Sequence, residues 1–203
     1  AGLTAINNGP TALGEPTTLT ATISAGTNVS YTWDLGDSPI AITETVIHTY
    51  PTVGAYTATI TASNTSGVSV TDTIIVVEEP IDGLIVTSDS PVPTDEPAHL
   101  TATVSAGSNV QFAWDFGDST SGSGATPQHL YATAGSYTTT VTATNALGSV
   151  SVQATVVAEE PISGLIATSN SPVKIDQMAL LTATLSSGSN VEYAWDFGDG
   201  NSG

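Results

Sequence analysis

The chain contains the heptapeptide Phe112-Ala-Trp-Asp-Phe-Gly-Asp118. Matching copies lie 81 residues earlier, as Tyr31-Thr-Trp-Asp-Leu-Gly-Asp37, and 81 residues later, as Tyr193-Ala-Trp-Asp-Phe-Gly-Asp199. A fixed period of this length indicates an array of repeated structural units. The sequence therefore predicts three tandem domains, which are residues 1–82, 83–163 and 164–203.

The residues around the heptapeptide alternate between apolar and polar side chains. In Leu19-Thr-Ala-Thr-Ile23 the apolar residues share one face, and the stretch from Tyr56 to Ala62 alternates with threonine in the same way. A period of two predicts half-buried strands, and the Gly, Pro and Asn residues between them predict turns. Roughly seven short strands in each unit of ~80 residues favour an all-β fold of immunoglobulin-like sandwiches.

Three tryptophans, Trp33, Trp114 and Trp195, end the third predicted strand of their units on its apolar face. We predict that each indole packs between two sheets as structural core, and the alternative is a platform on which a sugar stacks. The third unit stops soon after its tryptophan, so its core would lack covering strands. We expect either that the natural chain continues or that another subunit supplies those strands.

The charge balance excludes several classes of partner. The 203 residues include 1 Lys or Arg and 19 Asp or Glu, for a net charge of -18. Nucleic-acid binding and docking on anionic lipids need clustered basic residues, which this chain does not have. Cysteine is absent, so no disulfide stabilises the fold. No apolar run approaches the ~20 residues that a transmembrane helix needs.

In the second unit, the heptapeptide is followed by His129–Tyr131, by Gly135–Tyr137 and by a strand that ends at Asn145. Together these motifs resemble the PKD (polycystic kidney disease) domain family, and the resemblance covers the whole chain. It implies a two-sheet sandwich, a secreted or cell-surface location, and no catalytic activity. It also implies that such domains act as spacers, as adhesive modules, or as accessory domains beside secreted hydrolases.

Acidic residues are predicted to gather at one end of each sandwich, in loops near the point where the chain leaves the domain. Crowded carboxylates repel one another unless a hard cation such as calcium joins them, and the resemblance adds that some PKD-like domains bind calcium. The candidate calcium ligands are Asp34, Asp37, Glu78, Glu79, Asp115, Asp118, Glu159 and Glu160. The alternatives are carboxylates that accept backbone hydrogen bonds in turns, and a solvated acidic surface.

Two asparagines, Asn28 and Asn64, begin sequences that match the N-glycosylation acceptor pattern. We predict a glycan at each of them in a host that glycosylates secreted proteins. The alternative is a chance match, because the pattern is common.

Short junctions separate the predicted units. Glu78-Glu-Pro-Ile-Asp-Gly83 joins the first unit to the second, and Glu159-Glu-Pro-Ile-Ser-Gly164 joins the second to the third. Proline restricts the backbone of both junctions, which predicts repeats that are held end to end. Stacked repeats of this kind form a quasi-one-dimensional rod.

These features favour a non-enzymatic extracellular protein that forms an adhesive surface stalk or filament. The expected partners are further repeats or other copies of the chain, with a surface polysaccharide or protein as an additional partner. An alternative is an accessory polysaccharide- or protein-binding module of a secreted hydrolase, which rows of exposed aromatic residues would favour. A third hypothesis is specific adhesion through loop tips, because the two full units differ most between Pro39 and Ile47.

Overall fold

The computed structural model describes residues 2–37, 40–200 and 203. Pro39, at the start of the divergent loop, lies outside the described residues. The described chain consists of β-strands joined by turns, with no helix, and this confirms the all-β prediction. The same residues accordingly include no helix with the length and hydrophobicity to cross a membrane.

The first repeat forms two sheets. Its strands are β1 (Leu3–Asn7), β2 (Thr11–Ala12), β3 (Thr17–Ile23), β4 (Ser30–Asp34), β5 (Ile40–Ala41), β6 (Thr45–His48), β7 (Gly54–Asn64) and β8 (Gly67–Glu78). One sheet has the order β1-β3-β6 and the other has the order β2-β8-β7-β4-β5. Neighbouring strands are antiparallel, except that β2 runs parallel to β8.

The second repeat has the same strand order. Its strands are β9 (Ile85–Ser88), β10 (Val92–Pro93), β11 (Ala98–Thr103), β12 (Gln111–Asp115), β13 (Ser121–Ser123), β14 (Gln128–His129), β15 (Gly135–Asn145) and β16 (Gly148–Glu159). The sheets are β14-β11-β9 and β10-β16-β15-β12-β13. Strand β10 is parallel to β16, as β2 is to β8. Equal sequence spacing has therefore produced equal topology in both repeats.

The core of the first sandwich follows from the alternation of its strands. On β7, the side chains of Ala58, Ile60 and Ala62 are buried while the threonines between them are partly covered. Trp33 and Leu19, which come from opposite sheets, are also fully buried in the same cluster. Full burial of a leucine-sized side chain stabilises a fold by about 1.5–3 kcal/mol, so this apolar layer is the main source of stability.

The third repeat contributes β17 (Ile166–Ser169) and β18 (Leu181–Thr184), which pair antiparallel. Side chains on both faces of β17 are exposed. The reason is that the 203-residue sequence contains no counterpart of β15 and β16, the strands that supply much of the core in the second repeat.

The chain forms two compact units. The first comprises residues 1–85, 103–112 and 142–152, and the second comprises the remaining residues up to Gly203. Residues 78–83, the first junction, therefore belong to the same unit as residues 103–112 and 142–152 of the second repeat. The second junction lies within the second unit, together with the third repeat.

Candidate functional site

The first aspartate of each heptapeptide closes a turn. The Oδ1 atoms of Asp34, Asp115 and Asp196 accept hydrogen bonds from the N–H groups of the glycines two residues later, at 3.0, 2.9 and 2.9 Å. This geometry is an Asx turn. Asp34 and Asp115, which were predicted as calcium ligands, thus each use one carboxylate oxygen to cap the backbone.

The glycine of this turn lies against a neighbouring strand. Gly117 has a φ of 81°, and a Cβ at this position would lie 2.5 Å from the carbonyl oxygen of Thr138. Gly36 has a φ of 84°, and its Cβ would lie 2.6 Å from the carbonyl oxygen of Thr57. Glycine takes such a φ without steric cost, so it allows the turn to pack closely on β7 or β15.

The tryptophans of the first two heptapeptides are core residues. Trp33 and Trp114 are 0% and 2% exposed. Their Nε1 atoms donate hydrogen bonds to the carbonyl oxygens of Thr43, at 3.1 Å, and Gly124, at 2.8 Å, which satisfies the polar group of each buried indole.

Trp195 does not occupy the buried position that was predicted for it. Its side chain is partly exposed. The strand pair that would cover it, equivalent to β15 and β16, has no counterpart in the 203 residues. A core position defined by local sequence is buried only when the opposing strands are present.

The second aspartate of the heptapeptide pairs with a histidine. Oδ2 of Asp37 lies 2.7 Å from Nε2 of His48, and Oδ2 of Asp118 lies 2.7 Å from Nε2 of His129. The imidazole of His129 also stacks on Phe116, with 4.1 Å between the ring centroids. Sequence analysis did not pair these histidines with aspartate, although both residue types recur at the same period.

The surroundings of Asp118 favour its charged form. Burial of the carboxyl group acts to raise its pKa, but hydrogen bonds from Thr120 and His129 outweigh that effect and lower the pKa below its ordinary value. The N–H of Thr120 donates to Oδ1 at 3.0 Å. The fold therefore stabilises the carboxylate anion at this position.

Two buried tyrosines hold the same turn from its other side. The hydroxyl of Tyr50 donates to the carbonyl oxygen of Leu35 at 3.1 Å, and that of Tyr131 donates to the carbonyl oxygen of Phe116 at 3.0 Å. Burial, followed by the charge of Asp37, raises the pKa of Tyr50 to about 12. The hydroxyl consequently remains protonated, and able to donate, well above neutral pH.

The first junction inserts a glutamate into the next repeat. Glu78 is 4% exposed. Its Oε1 accepts a hydrogen bond from Nδ2 of Asn109 at 3.1 Å, and its Oε2 accepts one from the N–H of Ala146 at 2.8 Å. The carbonyl oxygen of Glu79 accepts a further bond from Nδ2 of Asn145 at 2.9 Å. A buried carboxylate requires donors of this kind, so Glu78 is a structural part of the junction.

The second junction forms hydrogen bonds between the equivalent positions of the second and third repeats. Oε1 of Glu159 accepts a hydrogen bond from Nδ2 of Asn190 at 3.0 Å. The N–H of Glu160 donates to Oγ of Ser189 at 2.7 Å. The junction geometry therefore recurs with the sequence period.

The predicted calcium ligands do not converge on one point. Residues 2–37, 40–200 and 203 contain no group of three or more His, Cys, Asp or Glu side chains that is placed to hold a metal ion. Among the residues that the structure describes, Oδ1 of Asp37 is buried and has no hydrogen-bond partner, whereas calcium takes 6–8 oxygen ligands. Of the other predicted ligands, the following accept internal hydrogen bonds at their carboxylates: Asp34, Asp115, Asp118, Glu78 and Glu159. Calcium binding at these residues stays a prediction.

The predicted glycosylation sites are both in the first repeat. Asn28 is exposed and has a φ of 52°. Nδ2 of Asn64, the atom to which a glycan would attach, donates to the carbonyl oxygen of Thr27 at 3.0 Å. A glycan at Asn64 would take one of the two hydrogens of this nitrogen. Glycosylation at either residue stays a prediction.

Comparison with known proteins places the repeats in a sequence family. A family model described as the PKD domain matches residues 2–77, 83–158 and 164–203. Human polycystin-1 is 28% identical over 206 residues, which cover 98% of this chain and 5% of polycystin-1. The chain thus spans a small fraction of that relative.

Solved structures with immunoglobulin domains are similar in fold. The N-terminal four Ig domains of Dscam1 isoform 1.9 match with a TM-score of 0.47 and 15% identity, over 73% of this chain and 42% of that chain. An I-band fragment from titin matches with a TM-score of 0.46 and 19% identity, over 89% of this chain and 76% of that chain.

Proposed function

The chain belongs to the PKD domain family, and on that premise we propose that it is a non-enzymatic extracellular protein whose repeats form an adhesive surface stalk or filament. Its partners would be further repeats of the same kind and a surface polysaccharide or protein. The matched relative and the motifs support the family, and the features below support the role.

The bonded junction is the observation that carries the proposal. A free linker would leave its charged side chains in water, but Glu78 is buried and bonded to Asn109 and Ala146. The bond between Glu159 and Asn190 repeats the first of these two bonds. Junctions that recur and are hydrogen-bonded restrict bending between neighbours, which is the mechanical property that a stalk needs.

Electron microscopy of native surface material tests the stalk. We expect thin fibres or stalks whose axial repeat matches one PKD unit, and labelling with an antibody to the first repeat should mark them. Compact isolated particles of the full-length protein would contradict the proposal. A chain with both Glu78→Ala and Glu159→Ala should give fibres that bend more at the junctions.

Exposed isoleucines in the first repeat support an adhesive role. Ile40, Ile42 and Ile47 are 70%, 78% and 72% exposed. The equivalent positions of the second repeat are Ser121, Ser123 and Gln128. The first repeat thus exposes three isoleucines in a divergent region where the second repeat has polar residues. The fold that both repeats share does not require this difference.

Surface binding by these isoleucines can be measured directly. A triple variant copies the second repeat, with Ile40→Ser, Ile42→Ser and Ile47→Gln. It should adhere to the target cells or surface several-fold more weakly than the wild-type protein. The matched control is Ile74→Ser, because Ile74 is 64% exposed on β8. If both variants adhere equally well, the three isoleucines are not part of the adhesive surface.

The alternative of an accessory polysaccharide-binding module gains no support from the aromatic residues. In the described parts of the first two repeats every aromatic side chain is at least partly buried, including Tyr31, Tyr56 and Tyr137. Sugar-binding rows of stacked rings need exposed faces. Pull-down of the full chain with insoluble polysaccharides would test this alternative separately.

A further inference from the structure

The five-stranded sheet of the first repeat has one face on the core and one face in solvent. Trp33 of β4 is buried, and side chains alternate along a strand, so its neighbour Asp34 lies on the solvent face. The register places Asp34 opposite Ile40 of the edge strand β5 and opposite Thr59 of β7. Thr59 in turn lies opposite Asp72 of β8. These four side chains therefore form one row across the solvent face.

Apolar side chains lie beside the two aspartates of this row. Ile40 is 70% exposed, and Val70, two residues before Asp72 on the same strand, is 58% exposed. Apolar area that remains in water favours association with another apolar surface. We call the surface formed by Asp34, Ile40, Val70 and Asp72 the outer face of the first repeat.

The outer face ends at the row of Asp72. Ile74, the next exposed residue of β8, lies opposite Thr57, and β4 has already ended at Asp34. A turn takes the place of β4 there, because a Cβ at Gly36 would lie 2.6 Å from the carbonyl oxygen of Thr57. Ile74 therefore lies outside the outer face.

The fold that both repeats share does not require the side chains of the outer face. Three pairs of equivalent positions show this, with the residue of the first repeat given first: Ile40 and Ser121, Val70 and Ser151, and Asp72 and Gln153. In the second repeat, Nε2 of Gln153 donates a hydrogen bond to Oγ1 of Thr140 at 3.3 Å, so this face is polar and bonded within its own sheet. The apolar and acidic side chains of the first repeat thus point to binding and not to folding.

The two carboxylates of the outer face determine the charge of a suitable partner. Asp34 and Asp72 are both exposed. Only β7 separates their strands, so their backbones lie about 10 Å apart. Oδ1 of Asp34 accepts a hydrogen bond from the N–H of Gly36 at 3.0 Å, which orients this carboxylate. Carboxylates at an interface attract cationic side chains and exclude acidic ones.

We propose that the outer face binds a protein that presents two Lys or Arg side chains about 10 Å apart with apolar side chains beside them. The cations would pair with Asp34 and Asp72, and the apolar side chains would cover Ile40 and Val70. A second copy of these 203 residues does not have this chemistry, because it contains 1 Lys or Arg. This inference rests on the proposed function, because Ile40 belongs to the proposed adhesive surface, and it names the class of partner.

A synthetic peptide provides the probe. The blocked peptide Thr-Lys-Thr-Val-Thr-Lys-Thr carries two lysines about 13 Å apart on one face of an extended chain, with valine between them. It is titrated into the isotope-labelled 203-residue chain at low ionic strength, where attraction between exposed charges is least screened, and followed by NMR. We expect saturable shifts at Val70 and Asp72. The equivalent residues Ser151 and Gln153 should not shift.

Matched changes separate the outer face from general acidity. A peptide with glutamine in place of both lysines should bind at least about tenfold more weakly, because charge-assisted hydrogen bonds are the stronger ones. In the chain, Asp72→Gln copies the second repeat and should weaken peptide binding several-fold. The control is Glu15→Gln, which removes the same charge from an exposed residue in the turn between β2 and β3. It should leave peptide binding unchanged.

Adhesion assays with the full chain test the class of partner. Asp72→Gln should reduce adhesion to the target cells or surface several-fold, and Glu15→Gln should not. Treatment of the target with protease should abolish the adhesion that depends on Asp72. Periodate oxidation, which destroys sugars, should leave it unchanged. Loss with periodate but not with protease would show that the partner is a polysaccharide and would overturn the inference.

Other results would also overturn it: no saturable shifts, equal shifts in the first and second repeats, or equal binding of the glutamine peptide. Dimers of the chain in sedimentation experiments that dissociate on Asp72→Gln would show that a second copy occupies the outer face instead. The stalk is judged independently by electron microscopy. Fibres that adhere equally well with and without Asp72→Gln would reject this inference and retain the proposed function.

Discussion

At the scale of single residues, the same side-chain type has different roles according to its neighbours. Asp34 caps a turn, Asp118 pairs with a histidine, and Glu78 is buried in the following repeat. All three are acidic and lie close to turns or junctions in the sequence. Their roles are set by the donors that the fold brings to each carboxylate.

The first residue-scale prediction concerns the glycine of the heptapeptide. Gly117→Ala should destabilise the protein by about 3 kcal/mol, because a Cβ meets a backbone oxygen at 2.5 Å and the φ is positive. Gly124→Ala is the matched control: its φ is 94°, but no atom lies within 4 Å of its Cβ, so it should cost about 1 kcal/mol. Urea denaturation measures the free energy of unfolding of both variants. Equal losses would show that the contact between the new Cβ and the backbone oxygen does not affect stability.

Tyr50→Phe tests the buried hydroxyl. Below pH 10 the variant should be less stable by about 1 kcal/mol, because Leu35 loses a hydrogen bond. Because the pKa of Tyr50 is raised, its protonated form stabilises the folded wild-type protein below pH 10. This stabilisation is lost as the pH rises from 10.0 to about 12. Phenylalanine does not ionise, so the difference in unfolding free energy should narrow over that range. A difference that stays constant from neutral to alkaline pH would contradict this account.

Asp118→Asn tests the pairing with His129. The lowered pKa of Asp118 means that its contribution to stability is present above the ordinary value of 3.8 and is lost as the pH falls below it. We expect the variant to be less stable by about 1 kcal/mol near neutral pH, since the site is partly exposed. Urea unfolding in strong acid should give no difference. A loss of equal size at both pH values would indicate a packing effect instead.

At the scale of elements, β8 controls the junction. It pairs with β7 along its length, with Gly54 opposite Val77. This pairing fixes the direction in which the chain leaves the sandwich. Glu78 is the last residue of the strand, so the strand delivers the glutamate to its partners in the next repeat.

Glu78→Gln tests the junction. The amide retains one oxygen for Asn109 but cannot supply acceptors to both Asn109 and Ala146, so the free energy of unfolding should fall by about 1.5–3 kcal/mol. Hydrogen exchange at the Ala146 amide should accelerate as well.

The matched control for this change is Glu79→Gln. Glu79 is exposed, and within the described part of the chain its carboxylate accepts one long hydrogen bond, from the N–H of Gly107 at 3.4 Å. We expect a loss of less than about 0.5 kcal/mol. If both variants lose the same stability, the burial of Glu78 does not hold the junction.

At the scale of the whole molecule, the net charge of -18 is the dominant electrostatic property. Calcium and magnesium both reduce the repulsion between carboxylates by screening it. A specific calcium site would raise the thermal stability further with calcium than with magnesium.

Calcium addition measures that difference. We expect equal concentrations of the two cations to raise Tm equally, because the predicted calcium ligands do not converge and most of them accept internal hydrogen bonds. Thermal denaturation after chelator treatment, with each cation restored separately, makes the comparison. A rise with calcium alone would support the calcium prediction.

Sequence patterns by themselves determined the repeats, the all-β fold and the buried positions of Trp33 and Trp114. These properties follow from spacing and from alternation along one strand, both of which are local. The same patterns also located the Asx turn as one interpretation of Asp34, because an aspartate two residues before glycine is a local signal.

Only the tertiary structure decided which distant groups meet. The pairing of Asp118 with His129 and the burial of Glu78 against Asn109 both depend on strands that are separate in sequence. A period of two shows which face a side chain occupies, but it does not show which donor or covering strand lies opposite that face. For this reason most of the acidic residues that were predicted as one group of calcium ligands have separate hydrogen-bond partners in the fold, while calcium binding itself stays a prediction.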